Sequence, residues 1–256
     1  MRSAKMSRRK LFRLAAGATL GWCLLEPWVL EPYWLKIKRI NIGGAKASHR
    51  LIYITDIHYK GDRMYLKKVV ETVNSLSPDF ICFAGDLVEQ AEYVNEALAI
   101  MSQIRHPFYG VPGNHDYWSG ASFSTIAQYC KSTGGDWLID RDTLTNDGQV
   151  QIIGATGNES VLPPLKQELK RLLLVHYPLF VDRVDGSFNL VLAGHSHGGQ
   201  VRIPFWGAIV LPDHVGPYDL GLFQTKIGPL YVNPGIGTFH LPVRSWCRPE
   251  ITIIEL

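Results

Sequence analysis

The chain has 256 residues, of which 46% are hydrophobic and 19% charged, with 24 glycines and 15 prolines. That length is enough for a sizeable core, and the composition excludes a collagen-like or wholly disordered chain. The net charge of +3 rests on Arg2, Lys5, Arg8, Arg9, Lys10 and Arg13; without them 20 basic residues face 23 acidic ones, which argues against charge-driven nucleic-acid binding.

The N-terminus reads as an address. Its basic residues precede the uncharged apolar stretch 14–25, the order of a signal or anchor rather than of a folded element. Arg8-Arg9 followed by apolar Leu11 and Phe12 resembles a twin-arginine export signal, with the last two in the reverse of the usual order. Residues 14–25 fall short of the roughly 20 needed to span a bilayer, and extension to Leu30 admits Glu26 and Pro27. Ala16-Gly17-Ala18 lies too early to be a cleavage site. An amphipathic helix packed on the body is the alternative, but residues 14–25 offer no polar face. Residues 1–35 are therefore expected to form an uncleaved anchor or membrane-associated tail at the inner membrane.

A single domain is expected over residues 40–256. A short apolar run at 51–55 reads as a buried strand. Leu66, Val69, Val70, Val73 and Leu76 recur at helical spacing, so 64–76 reads as an amphipathic helix ended by Pro78-Asp79. Strand 80–84, a helix over 91–105, strand 108–111 and helix 122–132 follow. Strands are expected near 136–153, at 171–175, at 188–193 and at the C-terminal 250–255. This alternation suggests an α/β layered sandwich of two mixed β-sheets flanked by helices. Cys82 reads as a core residue; Cys130 and Cys247 would be the pair if a disulfide formed, although nothing in the sequence favours it.

Five polar segments each follow an expected strand, where side chains from separate strands converge in a crevice. They are Asp56-Ile57-His58, Gly85-Asp86, Gly113-Asn114-His115-Asp116, His176 and Gly194-His195-Ser196-His197. Singly each is weak: Gly85-Asp86 alone is a turn, and a lone His176 is more often a core histidine. Together they gather five of the nine histidines. Asp, Asn and His without Cys suit divalent manganese, iron or zinc rather than a structural thiolate zinc. Two Asp, one Asn and four His are too many for one tetrahedral ion and fit two ions sharing a carboxylate.

In this order the motifs resemble the calcineurin-like metallophosphoesterase superfamily over about residues 50–200. The N-terminal arginines, residues 198–204 and Pro249-Glu250-Ile251 resemble a branch of membrane-associated or twin-arginine-exported bacterial phosphodiesterases. That branch includes enzymes that hydrolyse UDP-2,3-diacylglucosamine in lipid A biosynthesis. The resemblance implies a dinuclear site at the C-terminal ends of the strands. Asp56, His58, Asp86 and His197 would hold one ion, with Asp86 bridging to a second held by Asn114, His176 and His195. It also implies that His115 protonates the leaving oxygen or stabilises the phosphoryl charge, with Asp116 orienting its ring; an N-cap is the plain reading of Asp116.

The implied activity is hydrolysis of a phosphodiester or diphosphate in a lipid-linked substrate at a membrane surface. A general phosphodiesterase or phosphomonoesterase of the cell envelope is the nearest alternative, and a non-catalytic metal-binding scaffold the other. Aromatics at 203–206 and 239–246 interleave with Arg202, Arg244 and Arg248. That pattern suits acyl chains with a diphosphate, or a bilayer surface, as well as a plain cap on the sheet edge.

Overall fold

The computed structural model describes residues 7–157 and 161–256; Arg2 and Lys5 lie outside them, as do the side chains of Ala16, Ala18 and Cys23. Helix α1 (Arg8–Val29) starts at Ser7, whose hydroxyl accepts from the Lys10 amide. Its first turn carries no acid to complement the helix dipole. Leu11, Phe12, Leu14, Trp22, Leu25 and Trp28 are all exposed along it. No helix among the described residues is long and apolar enough to cross a membrane. The far end of α1 is docked, because the Arg244 amide donates to the Pro27 carbonyl at 2.9 Å.

In chain order β1 (Lys36–Asn41) and β2 (Arg50–Ile54) lead to α2 (Arg63–Ser75), β3 (Phe80–Phe83), α3 (Val94–Met101) and β4 (Phe108–Gly110). The short α4 (Asn114–Trp118), α5 (Phe123–Ser132), β5 (Asp136–Trp137), β6 (Arg141–Leu144) and β7 (Val150–Ala155) come next. Then follow β8 (Lys170–Val175), β9 (Leu190–Ala193), a small hairpin of β10 (Arg202–Ile203) and β11 (Gly207–Ala208), β12 (Gly221–Thr225), β13 (Gly228–Val232) and β14 (Glu250–Glu255). One six-stranded sheet has the order β1-β14-β2-β3-β4-β5 and the other β12-β13-β9-β8-β7-β6. Strands β2 to β5 are parallel, while β14 is antiparallel to β2, so the sheet is mixed.

The side-chain period of two builds three apolar layers from these strands. Leu51, Tyr53, Cys82, Leu172, Leu174 and Leu192 share the core between the sheets. Ile52, Ile54, Ile81 and Phe83 face Val69, Leu98 and Ile126 of the helices on the outer face. Leu173, Val175 and Val191 pack on Phe180 and Val181 beyond the second sheet. Burial on both faces is why these strands read as continuous apolar runs, and each such side chain contributes about 1.5–3 kcal/mol.

The layered α/β sandwich is the expected one, with two local differences. Strand β1 was not expected, because Lys36, Lys38 and Arg39 mask it; at a sheet edge such charges face water. The helix expected over 91–105 is a 3₁₀ turn at Ala91–Tyr93 followed by α3, which stops at Met101. Cys130 and Cys247 are both buried free thiols, so no disulfide joins them.

Candidate metal centre

The seven side chains singled out as ligands come from five strand ends and meet. Asp56 and His58 follow β2, Asp86 follows β3, Asn114 follows β4, His176 follows β8, and His195 and His197 follow β9. Asp56, His58 and His197 form one group able to hold a cation, and Asp86, His176 and His195 a second. His58 Nε2 and His197 Nε2 lie 3.0 Å apart, and His197 Nε2 is 3.5 Å from Asp56 Oδ1. In the second group His195 Nδ1 is 3.2 Å from His176 Nε2, which is 2.8 Å from Asn114 Oδ1. Asp86 Oδ2 faces both, 3.5 Å from His58 Nε2 and 3.3 Å from His176 Nε2.

Three of the four imidazoles are fixed from behind. His176 Nδ1 donates to the Ala84 carbonyl at 2.7 Å, and His195 Nε2 to the Asp213 carbonyl at 2.9 Å. His58 Nδ1 meets Glu89 Oε1 at 2.5 Å. Each bond places the proton on the outer nitrogen and turns the inner lone pair toward the centre. His197 has no such partner on Nδ1 among the described residues, and its Nε2 lies 3.0 Å from His58 Nε2, close enough for one cation to take a lone pair from each. That separation matches the edge of an octahedron with bonds of about 2.1 Å. The donor set therefore fits a pair of divalent ions.

Local backbone geometry explains why the motifs take the form they do. Asp56, His58, Asp86, His195 and His197 all have left-handed backbones, with φ of 50°, 44°, 61°, 65° and 49°. Non-glycine residues adopt that region at a cost of roughly 1–3 kcal/mol each, and such strain clusters at functional sites. The motif glycines are spacers. A Cβ on Gly113 would lie 2.2 Å from Asp86 Oδ1, and one on Gly194 would lie 2.4 Å from Asp56 Oδ2.

Charge is balanced within the cluster. Burial alone would raise the Asp86 carboxyl, but facing His176, His58 and His115 hold it well below the usual range. Burial would lower His176, yet Asp86 and Asp56 lift it to about 9. Burial and the neighbouring His176 push His195 down to about 3, and burial with His58 takes His197 well below its ordinary value. His195 and His197, kept neutral in this way, are ready ligands, whereas His176 must give up a proton to a metal.

His115 lies outside these two groups but forms a third with His58 and Glu89, close enough together to hold a cation. Asn114 and His115 open α4, so helical rotation separates their side chains. The His115 amide donates to Asp86 Oδ1 at 2.8 Å, while its ring meets Glu89 Oε2 at 3.2 Å. Asp116 does not orient that ring. Its carboxylate accepts from the amides of Asp86, Leu87 and Gly113 at 2.8–2.9 Å, tying the β3 loop to the start of α4. Glu89 was missed in the sequence; its position three residues past Asp86 was the available signal. The arginines interleaved with the aromatics, which suited a diphosphate or a plain cap on the sheet edge, are engaged within the protein. Arg244 is fully buried and donates to the carbonyls of Cys247 and Pro234, Arg202 pairs with Asp219 at 2.9 Å, and Arg248 bonds the Trp34 carbonyl.

The sequence model of the calcineurin-like phosphoesterases matches residues 49–199. An uncharacterized metallophosphoesterase of Bacillus subtilis (strain 168), YkuE, is 30% identical across 98% of this chain and 98% of its own. Phosphodiesterase YaeI of Escherichia coli (strain K12) is 28% identical across 98% of this chain and 100% of its own. A transmembrane protein with metallophosphoesterase domain from Bos taurus is 29% identical over 82% of this chain, which spans 53% of that protein.

Proposed function

Because the chain belongs to the calcineurin-like phosphoesterase family of metal-dependent phosphoester hydrolases, we propose that it hydrolyses phosphodiesters or diphosphates at a two-metal centre. The observation that carries this is Asp86 Oδ2 lying between two histidine groups whose inner nitrogens converge. Asp56, His58, Asp86 and His197 would hold one ion, and Asp86, Asn114, His176 and His195 the other, with manganese, iron or zinc suited to the donors. Bound there, the ions would supply an activated water and screen the phosphoryl oxygens. His115, outside both groups, is placed to give a proton to the leaving oxygen as its bond to phosphorus breaks. Glu89 positions the His115 ring.

The diester preference is supported by the full-length likeness to a protein named as a phosphodiesterase. Assays of metal-reconstituted protein against bis-p-nitrophenyl phosphate, p-nitrophenyl phosphate and UDP-2,3-diacylglucosamine test it. Turnover of the diester or diphosphate with little of the monoester is expected. Preference for the monoester would replace this reading with a phosphomonoesterase, and metal binding without any turnover would leave a scaffold.

We also propose a lipid-linked substrate and a membrane-associated tail, on exposed apolar side chains in two places. The hairpin just past His197 exposes Ile203, Phe205 and Trp206. Helix α1 joins Arg8, Arg9, Lys10 and Arg13 to its own exposed apolar residues, a pairing suited to an anionic lipid surface. Full-length protein should sediment with membranes and a chain starting at Lys36 should not. Recovery of both in the soluble fraction would refute the tail's role.

A further inference from the structure

The loops that carry the ligands also wall a cleft of about 390 Å³ beside His115, lined by Lys60, Gln90, Tyr93, Phe239 and His240. Lys60 lies two residues past His58, and Gln90 directly follows Glu89. The Phe239 ring packs 4.9 Å from His115 and 6.2 Å from His197, between centroids. Gln200 holds that wall in place, its side-chain oxygen accepting from the Phe239 amide at 2.5 Å and its nitrogen donating to the Phe239 carbonyl at 3.1 Å.

The charge in this cleft is unbalanced. Its carboxylate, Glu89, is already engaged by His58 and His115. Lys60 forms no ion pair among the described residues; Nζ donates to the Thr238 carbonyl at 3.2 Å, and an ammonium has two more protons to offer. A cation with spare donors next to a candidate proton donor calls for an anion on the departing side of the substrate.

We propose that this cleft receives the leaving group, and that Lys60 selects leaving groups carrying their own phosphate or carboxylate. This rests on the diester and diphosphate reading above and narrows its substrate class. A diphosphate cut at one phosphorus has such a leaving group, because the departing oxygen belongs to the second phosphate. Lys60 acts here chiefly on binding, through a charge-assisted hydrogen bond to the leaving group's non-bridging phosphate oxygens or its carboxylate.

The test compares three chromogenic esters: methyl p-nitrophenyl phosphate, its analogue with a carboxylate on the nitrophenyl ring, and a methyl p-nitrophenyl diphosphate whose released p-nitrophenyl phosphate is measured after phosphatase treatment. Wild type should favour one or both of the anionic leaving groups. Lys60→Met should raise KM for the favoured ester roughly 10–100-fold with a smaller change in kcat, and Lys60→Arg should restore much of it. Loss confined to the diphosphate would assign a phosphate subsite, and loss on the carboxylate ester as well a general anion subsite. Equal loss on all three esters, or no preference in wild type, would overturn the proposal. A wild type that binds metal but cleaves none of them would remove the diesterase reading itself, and this inference with it.

Discussion

His115→Ala is expected to retain two bound metal ions while losing about 10²–10⁴-fold in turnover of esters whose leaving groups need a proton. The side chain lies outside the Asp56–His58–His197 and Asp86–His176–His195 groups and shares a third with His58 and Glu89; its ring meets Glu89 and packs beside Trp118 and Phe239. Truncation therefore removes no donor from the first two of those groups. Glu89 holds one ring nitrogen, which leaves the other for substrate. Burial pulls the His115 pKa down, but the Glu89 hydrogen bond and Asp86 raise it above its ordinary value overall, which favours the protonated form of an acid. The leaving group decides the size of the loss. A sugar or nucleotide phosphate departs poorly without a proton, whereas p-nitrophenolate hardly needs one. Metal analysis with kcat on both substrate types checks this. Loss of metal would make His115 a ligand, and equal loss on both substrates would make it a clamp on phosphoryl charge.

Much of this centre was legible because its chemistry sits at strand ends, and buried strands announce themselves. The runs ending before Asp56, Asp86 and His195 are apolar on both faces, so the polar triplets that follow them stand out. The seven ligand candidates converge for that reason. Other features depend on facts no single segment contains. Asp116 could be read as a partner of His115 only while the amides of Asp86 and Leu87 were out of view. Glu89 lies in a partly polar stretch whose return past Tyr59 brings it to His58, where the Glu89 amide donates to the Tyr59 carbonyl. Arg244 looked like a surface cation among aromatics. Its side chain is instead fully buried, where it donates to loop carbonyls. Strand β1 was hidden because an edge strand tolerates lysines that a central strand would exclude.

Asp86→Asn bears on the account more heavily than any other substitution. Asp86 Oδ1 is held by the His115 amide, and Oδ2 alone faces both histidine groups. The side chain is almost completely buried, so an asparagine would keep its shape and change its charge. Neutralisation removes the negative group that both ions would share, and an amide N–H₂ turned inward would oppose them. Affinity should fall at both positions by more than the roughly 10–100-fold that outer-shell substitutions cost, and turnover of bis-p-nitrophenyl phosphate should be lost with it. The direct measurement is metal content per chain after reconstitution in limiting manganese, in wild type and Asp86→Asn. The account predicts two ions in wild type and depletion of both in the variant; one ion retained at full occupancy in Asp86→Asn, or a single ion in active wild type, would contradict it.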